Sequence, residues 1–218
     1  LCEIEYDDIP EQSYIERKRD VVRRCIYGVD INPLAVDLAR LSLWLETLSS
    51  EKPLSFLSAH LKSGNSLIGS KIKTLFEKQT TLFESQKGRT GFIKNLEKFL
   101  MFENLEDDSP SAVKMKLEEY AKMQAKGTIY YELKFLLDCK VAEYFGIKVP
   151  NLGDYRAKIG ENSLDFFTHE KFPMVKKLGD NNKFFHWELE FPQIFYDENG
   201  VEKSNPGFDI IIGNPPWE

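Results

Sequence analysis

Hydrophobic positions along this chain change their spacing twice, and the changes divide it into three zones. In the first, residues 1–70, the short apolar run Arg24-Cys25-Ile26-Tyr27-Gly28-Val29-Asp30 ends in an acid, as a buried parallel strand does. Asn32 then stands where a helix N-cap belongs, with Pro33 at the first helical position. Leu34, Leu38, Leu41, Leu45 and Leu48 recur at spacings of three and four, which predicts a helix with one apolar face. After the break at Ser49-Ser50-Glu51-Lys52-Pro53, the stretch Leu54 to Leu67 predicts a second strand leading into a turn at Gly64-Asn65-Ser66. Strand, helix and strand in that order make a right-handed parallel unit.

The middle zone, residues 71–180, is rich in Lys, Glu, Leu and Phe and shows no strand alternation. Ala112 to Gln124 and Tyr130 to Tyr144 predict amphipathic helices, the second stopped by Gly146 and Pro150, with an acidic loop from Glu103 to Pro110. The zone reads as a helical insertion, its mixed charges as solvated helix faces. The last zone, residues 181–218, returns to sheet logic. Phe208-Asp209-Ile210-Ile211-Ile212 suits a strand covered on both faces, and it runs straight into Gly213-Asn214-Pro215-Pro216-Trp217.

That terminal motif carries the sharpest chemistry in the chain. Two consecutive prolines remove two backbone donors and stiffen the turn, so carbonyl oxygens are presented without competing N–H groups. If Asn214 and the carbonyl of Pro215 each accept one N–H of an amino group on a planar base, its lone pair is drawn out of conjugation. The nitrogen is then free to attack an electrophilic methyl group. Pro216 holds the turn, and Trp217 offers a flat face for the base, a stack worth about 1–3 kcal/mol. A base inside a duplex cannot reach such a pocket, so base flipping is implied. The alternative is a plain strand-ending turn.

Two further groups sit where a nucleotide cofactor needs them. An acid ending the second strand of a dinucleotide-binding unit accepts hydrogen bonds from ribose hydroxyls, and Asp30 is so placed. Ile31 beside it can pack on an adenine ring; the alternative for Asp30 is a charge favoured at a helix start. Asn65, with Ser66 next to it, can bond the adenine amino group, or can simply form a turn.

Charge complicates this picture. The net charge is −6, whereas DNA affinity rests largely on Lys and Arg neutralising phosphates. A DNA-gripping surface is therefore expected mostly outside these residues. The three cysteines, Cys2, Cys25 and Cys139, are far apart and odd in number, which argues against a disulfide framework or zinc knuckle and for a reducing cytoplasm. His60, His169 and His186 are scattered, and no metal is expected. No run is apolar over the eighteen or so residues a membrane span needs, and the acidic start has neither a Met nor a signal-peptide plan.

Asp30, Asn65 and Asn214-Pro215-Pro216-Trp217, in this order, resemble motifs II, III and IV of the gamma-class adenine-N6 DNA methyltransferases. The similarity is greatest to the large restriction-modification methylases of bacteria and archaea. Arg40-Leu41-Ser42-Leu43-Trp44-Leu45, Gly64-Asn65-Ser66-Leu67-Ile68-Gly69 and Phe185-His186-Trp187-Glu188-Leu189-Glu190-Phe191-Pro192 look like further words of that family, as does a long insertion between motifs III and IV. The resemblance implies an incomplete Rossmann-like α/β core with a mainly helical insertion, and S-adenosylmethionine as cofactor. It implies duplex DNA and the rest of a larger chain as partners. It also gives Asp30 the ribose, Asn65 the cofactor adenine, and Asn214, Pro215 and Trp217 the target base. The family's glycine-rich first motif is absent, so the piece is expected to bind cofactor weakly or not at all, to form an imperfect sheet and to be inactive alone.

Three other readings remain open. The same acceptor pair serves methylation of a guanine amine in RNA or of a protein glutamine, although those chains are usually compact. Glu132-Leu133-Lys134, with Asp107 and Asp108, superficially matches a metal-dependent nuclease but falls on a predicted helix. The helical zone can also be read as a non-catalytic interaction module.

Overall fold

The computed structural model of the chain describes residues 11–47, 57–75, 82–103, 109–160 and 168–214. A helix that the apolar spacing did not single out comes first, α1 (Glu11–Cys25). Arg23 and Arg24 in its last turn suit the negative end of the helix dipole. After β1 (Gly28–Asp30), α2 (Pro33–Glu46) begins as expected: Asn32 Oδ1 accepts the Leu34 N–H at 3.0 Å, and Pro33 opens the first turn. β2 (Leu61–Ser63) lies parallel to β1, with Gly28 opposite Leu61 and Asp30 opposite Ser63, so α2 is the crossover between them.

The second strand is shorter than the sequence suggested. Turns occupy Leu57 to His60, where Leu57 O accepts from both His60 N and Leu61 N, and residues 54–56 lie outside the described part. The apolar face of α2 is corrected more sharply. Val36 and Leu43 point inward, in a small core with Val22, Leu57 and Leu61. Leu34, Leu38, Leu41 and Leu45 are exposed, and Leu48 falls outside the described residues. At 100° per residue, positions 36 and 43 lie about opposite that leucine stripe. The helix is apolar on two sides, and spacing alone does not say which one meets the sheet.

The larger core is helical. A 3-10 helix (Ile72–Leu75) leads to α3 (Leu82–Glu103), α4 (Pro110–Gln124) and α5 (Ile129–Tyr144). Ser109 caps α4 by accepting from Ala112 N at 3.2 Å, and Thr128 caps α5 by accepting from Tyr131 N at 3.3 Å. After α5 the chain turns at Gly146, whose φ of 82° lies in the left-handed region. The last helices are α6 (Leu152–Ala157), α7 (Phe172–Asn182), α8 (Trp187–Glu190) and α9 (Pro192–Phe195).

α5 is not amphipathic in place. Leu133, Leu136, Leu137, Cys139 and Ala142 have no exposed surface, and Glu132 and Asp138 are buried with them. Glu132 accepts the Gly160 N–H at 2.7 Å and Asp138 holds Lys134. Charges that read as a solvated face are therefore partly internal and paired.

The expected strand at Phe208 to Ile212 does not form. Phe208 is seated among Tyr27, Trp187, Phe191 and Phe195, but Ile210, Ile211 and Ile212 are 79%, 81% and 92% exposed. β-branched residues make a buried strand only when a neighbouring strand supplies a ladder. Among the described residues the sheet has two strands, and this run pairs with neither.

Candidate functional site

The carboxyl ends of adjacent parallel strands are where open α/β sheets bind ligands, and the two expected cofactor loops meet there. Gly64 N donates to Asp30 O at 2.9 Å, which sets the turn after β2 beside the last residue of β1. Asp30 is exposed. Its Oδ1 accepts the Asn32 N–H at 2.7 Å, fixing the side chain and leaving the second oxygen for other donors. Ile31 is 52% exposed, an apolar surface next to that carboxylate.

Asn65 is half-buried and committed to its own turn. Its Oδ1 accepts from Leu67 N at 3.1 Å and its carbonyl from Ile68 N at 3.2 Å. The side chain therefore keeps one lone pair on Oδ1 and an amide group able to donate. Ser66 is exposed, and its carbonyl accepts the Trp187 indole N–H at 2.9 Å.

A strap from the far end of the chain holds these loops. α7 ends at Lys183, in the left-handed conformation with φ 51°, and the backbone then runs beside residues 65–72. Asn65 N donates to Lys183 O at 2.7 Å, Phe185 N to Ile68 O at 2.8 Å, and Ile72 N to the Glu188 carboxylate at 2.6 Å. Lys183 Nζ also reaches the Ile31 carbonyl at 2.9 Å, so one segment ties both loops. Two glycines allow this approach. A Cβ on Gly69 would lie 1.9 Å from the Phe185 carbonyl oxygen, and one on Gly64 would lie 2.5 Å from the Phe185 ring. Composition and periodicity gave no sign of the strap; its signal was the pair of glycines flanking Asn65-Ser66-Leu67-Ile68.

Behind the strap is a buried polar layer. Ser70 N donates to His186 Nδ1 at 3.0 Å, so the ring proton belongs on Nε2, which faces Asp138 Oδ1 at 2.8 Å. Glu188 accepts from Tyr196 as well as Ile72. Glu190 takes Lys62 Nζ at 2.9 Å and the Tyr130 hydroxyl. Burial works to lower the Lys62 pKa, but the charges and hydrogen bonds of Tyr120 and Glu190 outweigh it and leave it above the ordinary lysine value. Burial works to raise the Glu190 carboxyl, and Lys62 together with the Tyr130 hydroxyl turns that into a net lowering. Burial and the neighbouring Glu190 charge push Tyr130 well up, so it stays a neutral donor.

A cavity of about 380 Å³ opens alongside this layer, lined by Arg40, Ser63, Gln124 and Lys134 among others. Its cations already have partners: Lys62 on Glu190, Lys134 on Asp138 and Arg40 on Asp37. Neither Asp30 nor Asn65 lines it.

Asn214 is the last described residue and is exposed; Pro215, Pro216 and Trp217 lie outside the described residues. Asp30, Ile31, Asn65 and Ser66 are thus gathered at one end of the sheet, while no hydrogen bond described links Asn214 to them. Glu132 and Lys134, the superficial nuclease pair, sit on α5 with other partners.

Comparison with known proteins covers most of the chain. The sequence model of the Eco57I restriction-modification methylases matches residues 24–218. A protein of Methanocaldococcus jannaschii, designated a type II restriction enzyme and methyltransferase, is 24% identical over 242 residues. That alignment takes in 95% of this chain, which spans 19% of the relative's length. No solved structure matches. The chain belongs to the Eco57I restriction-modification methylase family.

Proposed function

We propose that this chain supplies cofactor-binding and target-amine parts of a Rossmann-like DNA methyltransferase core, and that the protein methylates the N6 amine of a flipped adenine in duplex DNA. The observation that carries the reading is the meeting of Asp30 and Asn65 at the carboxyl ends of two parallel strands, in a chain that also carries Asn214-Pro215-Pro216-Trp217. The residues fit S-adenosylmethionine. Asp30 keeps an oxygen for ribose hydroxyls, Ile31 offers an apolar surface to adenine, and Asn65, next to Ser66, keeps an amide for the ring edge.

S-adenosylmethionine supplies a methyl group made electrophilic by its sulfonium. The protein's part is orientation and release of a lone pair. Asn214 and the Pro215 carbonyl accept the two N–H bonds of the adenine amine, Pro216 stiffens the turn, and Trp217 stacks on the base. Transfer would form the bond from nitrogen to the methyl carbon as the bond from that carbon to the sulfonium breaks, with S-adenosylhomocysteine leaving and one amine proton passing to solvent. Duplex DNA is held mostly by surfaces outside these residues, in keeping with the net charge of −6.

The test incubates the full-length protein with unmethylated DNA and labelled S-adenosylmethionine, and resolves the product nucleosides. N6-methyladenine from the wild type, lost in Asn214→Ala, is the expected result. Label in another nucleoside, in RNA or in protein overturns the adenine assignment.

A further inference from the structure

The methyl-transfer reading uses Asp30, Ile31, Asn65, Ser66 and the terminal motif, and leaves Trp187 without a part. This half-buried indole makes contacts in two directions. Its N–H donates to the Ser66 carbonyl at 2.9 Å, one residue from the Asn65 side chain. Its ring packs on Phe185, Phe191 and Phe208, with centroids 5.2, 5.8 and 5.6 Å away. Phe208 opens the run that ends at Asn214.

Other ties to the 65–72 loop from the strap are backbone amides, or side chains buried in the core: Asn65 on Lys183, Phe185 on Ile68, Ser70 on His186 and Ile72 on Glu188. Altering these disturbs the core itself. Trp187 differs, because Phe in its place removes the N–H while keeping a smaller aromatic ring against Phe185, Phe191 and Phe208.

We propose that Trp187 is a positioning residue that holds the Asn65-Ser66 turn in its cofactor-binding shape and couples that turn, through Phe208, to the segment bearing Asn214. The inference rests on the reading of Asn65 as a cofactor residue. A peptide carbonyl held from outside fixes the plane between Ser66 and Leu67. The Leu67 N–H in that same plane donates to Asn65 Oδ1 and so sets the direction of the Asn65 amide. Without the indole N–H the turn keeps its residues but loses the restraint on that plane. The cofactor must then order the turn as it binds, which costs affinity and leaves the chemical step alone.

The test compares full-length wild type with Trp187→Phe. Binding of S-adenosylmethionine is measured by calorimetry, turnover by steady-state kinetics, and amide exchange of residues 64–70 without cofactor. Loss of one neutral hydrogen bond predicts an affinity about three- to ten-fold weaker. KM for the cofactor should rise equally, kcat should hold, the melting temperature should stay within about 2 °C, and Leu67 exchange should quicken. Unchanged affinity and exchange in an active variant overturn this inference and leave the proposed function standing. Affinity lost only in step with melting temperature shows a structural role and also overturns it. A wild type that binds no S-adenosylmethionine overturns the cofactor reading, and this inference with it.

Discussion

Lys62 and Glu190 form an ion pair at 2.9 Å with both side chains buried, joining β2 to α8 across 128 positions of sequence. Each is further satisfied: the ammonium also donates to the Glu190 carbonyl at 2.6 Å and lies over the Phe191 ring, and the carboxylate accepts from Tyr130. Removing one partner leaves the other charged and buried, at a cost of about 3–5 kcal/mol. Lys62→Met and Glu190→Gln should each destabilise the protein by that order in denaturant titrations. The double variant should cost clearly less than the sum, and strict additivity would refute the coupling.

The same pair sets a pH window. The Glu190 carboxyl is held below its ordinary 4.5 in the folded protein, so its contribution is present above 4.5 and is lost as pH falls through the lower folded value. The Lys62 ammonium is held above its ordinary 10.5, so its contribution is present below 10.5 and disappears as pH rises through the higher folded value. Melting temperature followed from pH 6 to about 3 should fall less steeply in Glu190→Gln than in wild type. Parallel slopes would remove Glu190 from the acid response.

Gly69 allows the strap to lie against the loop after β2. Gly69→Ala places a methyl 1.9 Å from the Phe185 carbonyl oxygen, which is backbone and must shift. A destabilisation of about 1–3 kcal/mol is expected, together with weaker binding of S-adenosylmethionine, measured by chemical denaturation and calorimetry. Gly146→Ala is the control: its φ of 82° also strains an alanine, but nothing lies within 4 Å of the added carbon and it is remote from Asn65 in sequence. It should lose stability without losing cofactor affinity.

Asp30 is tested by changes that keep the shape of the turn. Asp30→Asn retains an oxygen for the Asn32 N–H but loses the charge offered to ribose hydroxyls. Hydrogen bonds to a charged group are worth about 1.5–3 kcal/mol, so KM for S-adenosylmethionine should rise by about ten-fold or more while folding is barely altered. An unchanged KM would leave Asp30 with the helix start alone.

Signals carried by adjacent residues are legible in the sequence, and those that depend on distant partners are not. The Asn32 cap, Pro33, the parallel crossover and the Ser109 and Thr128 caps follow from a few adjacent residues, and the first three were legible. The leucine spacing of α2 predicts one apolar face, but the helix carries a second one opposite, and it is that second face, with Val36 and Leu43, that packs. Glu132 and Asp138 read as solvated charges because their partners, Gly160 and His186, are 28 and 48 positions away. The strap had the same difficulty. Phe184 pairs with Asn65 through a single bridge, and no periodicity announces an interaction between segments so far apart. Of the candidate site, Asp30 and Asn65 are legible as strand-end residues, whereas the contact from Trp187 to the Ser66 carbonyl joins residues 121 positions apart and leaves no local mark in the sequence.

The exposed isoleucines at the end of the described chain have a colloidal consequence. Ile210, Ile211 and Ile212 join high β-propensity to a backbone that pairs with no strand among the described residues, the combination that templates association between molecules. Asp209 on one side is charged, and Pro215 and Pro216 on the other have no N–H to donate. Charged residues and prolines flanking a β-prone run are of the kind that limits the length of an intermolecular ladder. If this run is where molecules adhere, Ile211→Lys should raise the concentration at which light scattering begins, and an unchanged onset would clear the run of that role.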